Sequence, residues 1–184
     1  MDKRESKTRS ALYEAFRICL LSKDYSEISV TDLLNQSGIS RSTFYSHFKS
    51  KEDVLKGVCD EIFDHVFAAT HKKEIDHDFS SSPSFDYKRM ITHLFYHFFD
   101  EKDLIQTILK SEAAPIFVEA LKKRSLPLLG AAVKSHTYYK DGIPEEMQIH
   151  QLSESFVSLI RFWVEGGCSL TPEELTNYFE KLYA

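Results

Sequence analysis

Apolar residues recur at steps of three and four along most of the chain, and no segment alternates apolar with polar residues as a half-buried β-strand would. Leu12, Phe16 and Leu20 show this spacing in a first predicted helix over about residues 6–22. The 184 residues include only six Gly and five Pro, which are too few for a turn-rich all-β chain. The sequence therefore predicts an all-α fold of about nine helices.

Capping residues mark the ends of the next helices. Ser29 and Asp32 form a capping-box pattern at the start of a short second helix, which Gly38 is expected to end. A third short helix is predicted over about residues 40–48. Ser50 and Asp53 repeat the capping-box pattern and open a longer fourth helix.

The rest of the chain predicts a polar loop and then further helices. The loop covers residues 71–86, which include Ser-Ser-Ser-Pro. The expected helices cover about 86–101, 103–111, 115–136 and 144–165, followed by a last helix opened by Thr171, Pro172 and Glu174. Pro127 should kink or divide the helix that contains it.

Charge is distributed unevenly along the chain. Residues 1–51 contain nine Lys and Arg against six Asp and Glu, a net charge of +3, whereas residues 52–184 carry −8. A basic first quarter joined to an acidic remainder indicates a polyanion-binding module on a body that does not bind polyanions. We therefore expect one domain over 1–52, a connecting helix over about 51–70 and a second domain over 71–184.

Other features bear on location and cofactors. The longest segment without a charged residue, 90–99, has ten residues, and a membrane span needs about 20. The N-terminal segment MDKRESKTRS has no apolar stretch of the kind found in secretion signals. Cys19, Cys59 and Cys168 lie far apart and predict reduced, buried thiols. We expect a cytoplasmic protein with no membrane association and no cofactor.

The second and third helices, joined at Gly38, have the layout of a helix-turn-helix. Phe44 and Phe48 lie four residues apart and are expected to face a core, whereas Arg41 and Tyr45 share another face. A guanidinium on that face can bind O6 and N7 of guanine. Spacing alone fits equally well two amphipathic helices of an ordinary bundle, with Arg41 and Tyr45 in solvent.

The segment 29–55, SVTDLLNQSGISRSTFYSHFKSKEDVL, closely resembles the DNA-binding segment of TetR-family transcriptional regulators. The family signature is met at Gly38, Ile39, Ser40, Thr43, Phe44, Tyr45, Phe48, Ser50, Lys51, Glu52, Val54 and Leu55. The resemblance covers about residues 8–66, a third of the chain.

The resemblance implies a set of residues that contact double-stranded DNA. They are Thr31, Ser40, Arg41, Ser42, Thr43, Tyr45, His47 and Lys51. Arg41 and Ser42 match positions that read base edges, Tyr45 matches a tyrosine that packs on backbone and thymine methyls, and Lys51 matches a lysine that binds a phosphate. Asp32 departs from the family pattern because it is acidic, and we expect it to cap its helix.

The C-terminal ending, FWVEGGCSLTPEELTNYFEKLYA, is similar to that of TetR-like regulators of Gram-positive bacteria. This similarity implies that the last two helices, about 144–165 and 172–183, pair with those of a second copy in a four-helix dimer interface. Two recognition helices about 34–36 Å apart would then read a palindromic operator. The expected interface residues are Phe156, Leu159, Ile160, Trp163, Leu175, Tyr178, Phe179 and Leu182. The alternative is that they form intramolecular core.

The segment 85–99 carries six aromatic residues and two histidines. Candidate residues for a pocket that binds a small-molecule effector are Tyr87, His93, Tyr96 and Trp163. The alternative is that the aromatic side chains are ordinary core. His93 and His97 have the spacing of two metal ligands on a helix, but a zinc site needs three or four ligands, so no metal site is predicted.

The sequence therefore predicts a homodimeric TetR-like repressor that a small-molecule effector releases from DNA. A first alternative keeps the fold but makes the protein an activator or co-activator that works through a protein partner. A remote alternative is a helical-bundle enzyme or carrier. No paired carboxylates, nucleophile motif or Gly-rich phosphate loop supports an enzyme.

Overall fold

A computed structural model describes residues 3–68 and 87–183, and within these ranges the chain forms nine α-helices and no β-strand. The prediction of an all-α fold is confirmed. The helices are α1 (Lys3–Ser22), α2 (Val30–Ser37), α3 (Arg41–His47), α4 (Lys51–Ala68), α5 (Tyr87–Asp100), α6 (Lys102–Leu109), α7 (Ala114–Lys134), α8 (Glu145–Glu165) and α9 (Pro172–Tyr183), with a short 3₁₀ turn at Tyr25–Glu27. None of the described helices is long and apolar enough to cross a bilayer.

Two of the predicted capping boxes form as expected. The Asp32 backbone N–H donates to the Ser29 hydroxyl at 3.2 Å, and the Ser29 N–H donates to the Asp32 carboxylate at 2.7 Å. At the start of α9, the corresponding bonds between Thr171 and Glu174 measure 3.2 and 2.9 Å. Gly38 ends α2 with φ of 69°, a left-handed conformation that glycine adopts without a steric penalty.

One capping prediction differs from the structure, and of the two outcomes predicted for Pro127, a kink or a division of the helix, the structure contradicts the division. At the start of α4, the Asp53 carboxylate accepts from the backbone N–H of Lys49, one residue before the expected cap at Ser50. Helix α7 is not divided at Pro127 and runs from Ala114 to Lys134. Pro127 is exposed, as is Lys123, whose carbonyl loses its helical donor. Because water can reach that carbonyl, the helix continues through the proline. The predicted loop 71–86 lies outside the described residues.

The chain divides into two compact units. The first comprises Met1–Ile62 and Asp103–Ala120, and the second comprises Phe63–Lys102 and Leu121–Ala184. In the first unit α1 packs on α2. The buried side chains of α1 to α4 form its core, and they include Leu12, Phe16, Leu20, Leu33, Phe44, Phe48, Val54, Leu55 and Val58.

The second unit has an aromatic core between α5, α8 and α9. The Phe95 ring stacks on the Phe156 ring with centroids 5.9 Å apart and meets the Trp163 ring edge-on at 5.8 Å. Phe179 of α9 meets Phe156 edge-on at 5.9 Å. These rings fill the interior of the unit. Of the five Phe and Tyr residues between 87 and 99, Phe95 and Phe98 are buried core, whereas Tyr87, Tyr96 and Phe99 are half-buried.

Candidate nucleic-acid interface

Helix α3 has only seven residues, and its first turn is fixed by Ser40. The Ser40 hydroxyl accepts from the Thr43 backbone N–H at 3.2 Å and lies within 3.0 Å of the Ser42 hydroxyl and 2.8 Å of the Thr43 hydroxyl. Since a hydroxyl has one proton and two lone pairs, the Ser40 side chain is fully engaged in capping α3.

Two aromatic residues, Phe44 on the back of α3 and Phe48 directly after its last residue, hold the helix in the first unit. Phe44 and Phe48 are both buried, and their ring centroids lie 5.9 Å apart. This packing leaves Arg41 and Tyr45 exposed on another face, as the spacing predicted. Tyr45 remains 51% exposed, and its ring packs edge-on against Phe44 with centroids 5.2 Å apart. The exposed face of α3 therefore carries a guanidinium and a phenol on a rigid base.

Arg41 also contacts the start of α2. Its Nη2 donates to the Thr31 hydroxyl at 3.5 Å, the upper limit of a hydrogen bond, and both side chains are exposed. The contact places Thr31 beside the first residue of α3. The predicted base-reading residues of two helices thus share one exposed surface.

The predicted phosphate ligand Lys51 has backbone partners in the structure. Its ammonium donates to the Tyr25 carbonyl at 2.7 Å and to the Ser26 carbonyl at 3.4 Å, and it lies 4.3 Å from the centroid of the Tyr25 ring. An ammonium has three N–H donors, so one is left for a further acceptor. Lys51 as a whole is half-buried.

Tyr25 makes a second link between the 3₁₀ turn and α4. Its hydroxyl donates to the Glu52 carboxylate at 3.2 Å. Burial, followed by the charge of Glu52, raises the pKa of Tyr25 well above its ordinary value. The pKa of Glu52 is lowered, first by a hydrogen bond from Ser50. Glu52 is therefore ionised at neutral pH and accepts the hydrogen bond from the Tyr25 hydroxyl, which keeps its proton.

Asp32, the acidic departure from the family pattern, is engaged within the first unit. The Lys23 ammonium lies 2.8 Å from its carboxylate, and the Ser29 backbone N–H also donates to it. The hydrogen bond from Lys23, then those from Ser29, hold the pKa of Asp32 well below its ordinary range. Its charge is thus paired with Lys23 and used to cap α2, in agreement with the expectation from the sequence.

Three further predicted DNA-binding residues lie along α3. Ser42 is exposed, and Thr43 and His47 are half-buried. A cleft of about 340 Å³, which the sequence did not predict, lies beside the C-terminal end of α3. Its walls are formed by Arg9, Tyr13, Tyr45, Ser46, His47, Phe48, Lys49, Asp53, Lys56, Gly57 and Asp60. Arg9 and Tyr13 lie four residues apart and so on one side of α1, and this spacing was a signal that could have indicated one wall.

The predicted effector-binding residues lie in or beside the aromatic core of the second unit. Trp163 is buried, and its indole N–H donates to the Leu170 carbonyl at 2.9 Å. The Tyr96 hydroxyl donates to Glu173 of α9. Tyr87, at the first position of α5, is half-buried.

His93 and His97 are each only 8% exposed, and their Nε2 atoms lie 3.1 Å apart. One ring therefore donates and the other accepts. Among the residues that the structure describes, no three His, Cys, Asp or Glu side chains come together as metal ligands.

The predicted dimer-interface residues divide into two groups. Five are buried within the chain's own core, namely Phe156, Ile160, Trp163, Leu175 and Phe179. Leu159 is half-buried, and Tyr178 and Leu182 are exposed, Leu182 to 66%. Sequence reasoning missed Phe162 of α8, whose side chain is 74% exposed. Its position three residues after Leu159 was the available signal, because these two residues lie on neighbouring sides of one helix.

Comparison with known families assigns both parts of the chain. The profile described as "Bacterial regulatory proteins, tetR family" matches residues 12–58. A second profile, described as "Transcriptional regulator C-terminal region", matches residues 86–183.

Individual proteins agree with these matches. The crystal structure of a TetR transcriptional regulator from Streptococcus agalactiae is 30% identical, with a TM-score of 0.68 over 98% of this chain and 96% of that one. The HTH-type transcriptional regulator YxbF of Bacillus subtilis is 39% identical over 79 residues, which are 40% of this chain and 21% of YxbF. The dhaKLM operon transcriptional activator DhaS of Lactococcus lactis is 32% identical over 56 residues, 30% of each chain. The chain covers less than two thirds of the length of these two curated relatives.

Proposed function

Since the chain belongs to the TetR family of transcriptional regulators, we propose that it binds a palindromic DNA operator as a homodimer and represses transcription until a small molecule releases it. Family membership places the chain among regulators and not among enzymes. The observation that carries the proposal is the exposed face of α3, where Arg41 and Tyr45 project from a helix anchored by Phe44 and Phe48.

Helix α3 is the recognition helix in this proposal. Arg41 donates to the O6 and N7 acceptors of a guanine, and Tyr45 packs on the backbone and on a thymine methyl group. Thr31 supports the Arg41 guanidinium from α2. Thr43, His47 and the third donor of Lys51 bind phosphates, which fix the position of the helix without reading sequence. Ser40 acts by capping α3 and thereby orients Ser42 toward the bases.

A dimer is needed because one short helix covers only a few base pairs. Exposed apolar side chains on the last two helices supply a surface for a second copy. Phe162 of α8 and Leu182 of α9 are the most exposed of these side chains. Leu159 lies near Phe162 on α8, and Tyr178 lies near Leu182 on α9. Removing such large apolar side chains from water stabilises a symmetric interface, in which the same surface of each copy is used. The buried residues of α8 and α9 support this surface from inside.

The effector in this proposal is a small, largely apolar molecule that binds in the second unit. Aromatic rings dominate that unit, and Tyr87, His93 and Tyr96 add polar groups to it. Such a combination suits an apolar ligand with one or two hydrogen-bonding groups. A ligand that binds better to the arrangement in which the two recognition helices no longer fit successive major grooves shifts the population away from DNA.

A second candidate function is activation through a protein partner. Over 56 matched residues the chain is similar to DhaS, which is described as a transcriptional activator, and this likeness favours activation. In that case the second unit contacts another protein, and no small ligand is required. A thermal-shift screen of small molecules, together with a pull-down from the source cells, separates the two candidates.

The test of DNA binding is selection of genomic fragments by the purified chain, followed by fluorescence anisotropy on the enriched sequence. A scrambled duplex at the same salt concentration is the control. We expect a preference of about a thousandfold or more for the enriched sequence, which specific regulators show. Failure to enrich any sequence would contradict the proposal.

A further inference from the structure

The cleft beside α3 joins the recognition helix to α1. Tyr45 and His47 line it on the side of α3, and Arg9 and Tyr13 line it on the side of α1. Gly57 of α4 completes the wall, and a Cβ atom at that position would overlap the Tyr13 ring. The glycine therefore lets the tyrosine lie directly against the backbone of α4, which keeps the cleft open.

Several contacts hold the Arg9 side chain in this cleft and fix the orientation of its guanidinium group. Its Cζ lies 5.2 Å from the centroid of the Phe48 ring, and its Nε lies 3.4 Å from the Glu5 carboxylate. A hydrogen bond with the Tyr13 hydroxyl raises the pKa of Arg9. The side chain is 33% exposed, so part of the guanidinium faces solvent. With five N–H donors, a guanidinium stacked on a ring retains donors for an anion.

The charges around the cleft suit a singly charged anion. Arg9, Lys49 and Lys56 provide three positive charges, and Asp53 and Asp60 provide two negative ones. The Asp53 carboxylate is partly neutralised, because it accepts from the Lys49 backbone N–H at 3.1 Å and lies 3.8 Å from the Lys56 ammonium. The side chains that line the cleft therefore have a net charge of +1 when His47 is neutral, and Glu5, which lies outside the lining, pairs with the Nε of Arg9.

We propose that this cleft binds a phosphate of the DNA backbone next to the bases read by α3, with Arg9 as its main ligand. The proposal rests on the proposed function, because it needs α3 to lie in the major groove. Phosphates border that groove on both sides. Tyr45 and His47 face the cleft from the recognition helix itself, so a strand that passes the C-terminal end of α3 reaches Arg9 next. Helix α1 thus belongs to the DNA interface.

The test compares Arg9→Gln with Arg17→Gln, which removes the same charge from the same helix but outside the cleft. Arg17 lies 3.4 Å from Glu61. The measured quantity is the slope of log K against log salt concentration for the full chain on its enriched duplex and on a scrambled one. Arg9→Gln is expected to reduce the slope by about 0.9, the amount for one lost phosphate contact. It should weaken binding to both duplexes by the same factor, whereas Arg17→Gln and Arg9→Lys keep the parent slope.

A second measurement replaces single phosphates of the enriched duplex by neutral methylphosphonates. We expect one position outside the bases read by α3 at which the replacement weakens the parent but not Arg9→Gln. If Arg9→Gln loses its helical circular dichroism, Arg9→Met takes its place in both measurements, because it keeps an unbranched side chain against Phe48 and removes the charge. Equal salt slopes for Arg9→Gln and Arg17→Gln, or the absence of a sensitive flanking phosphate, would overturn the assignment of the cleft. Specific binding by the parent would then still support the proposed function. A parent that binds no DNA would overturn both.

Discussion

The Lys51 ammonium donates to the backbone carbonyl of Tyr25 at 2.7 Å, and this bond joins the first residue of α4 to the turn that leads into α2. The adjacent bond from the Tyr25 hydroxyl to Glu52 joins the same two segments. Lys51 consequently has two roles in the proposed interface. It holds the turn in place, and its remaining donor is the one proposed to bind a phosphate.

The substitution Lys51→Met should reveal both roles. It keeps most of the aliphatic stem but loses the bonds to the carbonyls, so the free energy of unfolding should fall by about 1 kcal/mol. Binding to all DNA sequences should weaken alike, and the salt slope should decrease by about 0.9 because one phosphate contact is lost. Urea unfolding and anisotropy at several salt concentrations measure the two effects. Tyr25→Phe is the matched control: it removes the bond to Glu52, keeps the carbonyl, and should leave the salt slope unchanged.

Arg41→Ala should affect sequence preference instead of general affinity. Loss of a bidentate contact with guanine costs about 1–3 kcal/mol of specific binding and relaxes the preference at one base position. Anisotropy on duplexes with each base at each position of the site measures this change. Arg124→Ala, which removes an arginine paired with Asp64 at 2.8 Å in the second unit, should bind every duplex as the parent does. Unchanged preference in Arg41→Ala would contradict the role of α3.

The Asp32 carboxylate should make stability depend on pH. Its pKa in the folded chain lies below the unfolded value of about 3.9. Its contribution is therefore complete above about pH 5, one unit above the unfolded pKa, and is lost as the pH falls from there toward the lowered folded pKa. The difference in Tm between the parent and Asp32→Ala should be constant near neutrality and should shrink below about pH 5. Asp32→Asn keeps an acceptor for the Ser29 N–H but does not titrate, so its Tm difference from Asp32→Ala should not change over the same range.

Phe162→Glu should separate the proposed dimer into monomers. A carboxylate in an apolar interface loses its hydration without gaining a partner, which opposes association. Sedimentation equilibrium should show the mass of one chain, and circular dichroism should show unchanged helix content because Phe162 is exposed. Leu126→Glu introduces the same charge at another exposed apolar position, on α7, and should leave the oligomeric state unaltered. Equal masses for the two variants would place the interface elsewhere.

The sequence predicted those features that depend on neighbours within one helix. Phe44 and Phe48 had to share a side of α3, and Arg41 and Tyr45 another, because the helix repeats every 3.6 residues. The caps at Ser29 and Thr171 were equally predictable, since a capping box uses residues three positions apart.

Features that depend on distant parts of the chain were not predictable in the same way. An apolar residue on α8 serves equally well in a core or in an interface, so spacing did not show that Ile160 is buried and Phe162 exposed. The bond from Lys51 to the Tyr25 carbonyl spans 26 residues, and the residue pattern of neither segment indicates it. The cleft at Arg9 likewise requires three helices to pack before it exists.

Helix α3, with its seven residues, is about two turns long. An isolated helix of that length is not stable in water, because forming its first turn costs more free energy than its few hydrogen bonds contribute. The surface proposed to read DNA therefore does not form apart from the rest of the first unit. It forms and melts with the burial of Phe44 and Phe48, so the temperature range of the proposed DNA recognition ends where the first unit unfolds, however favourable the proposed contacts with the bases are.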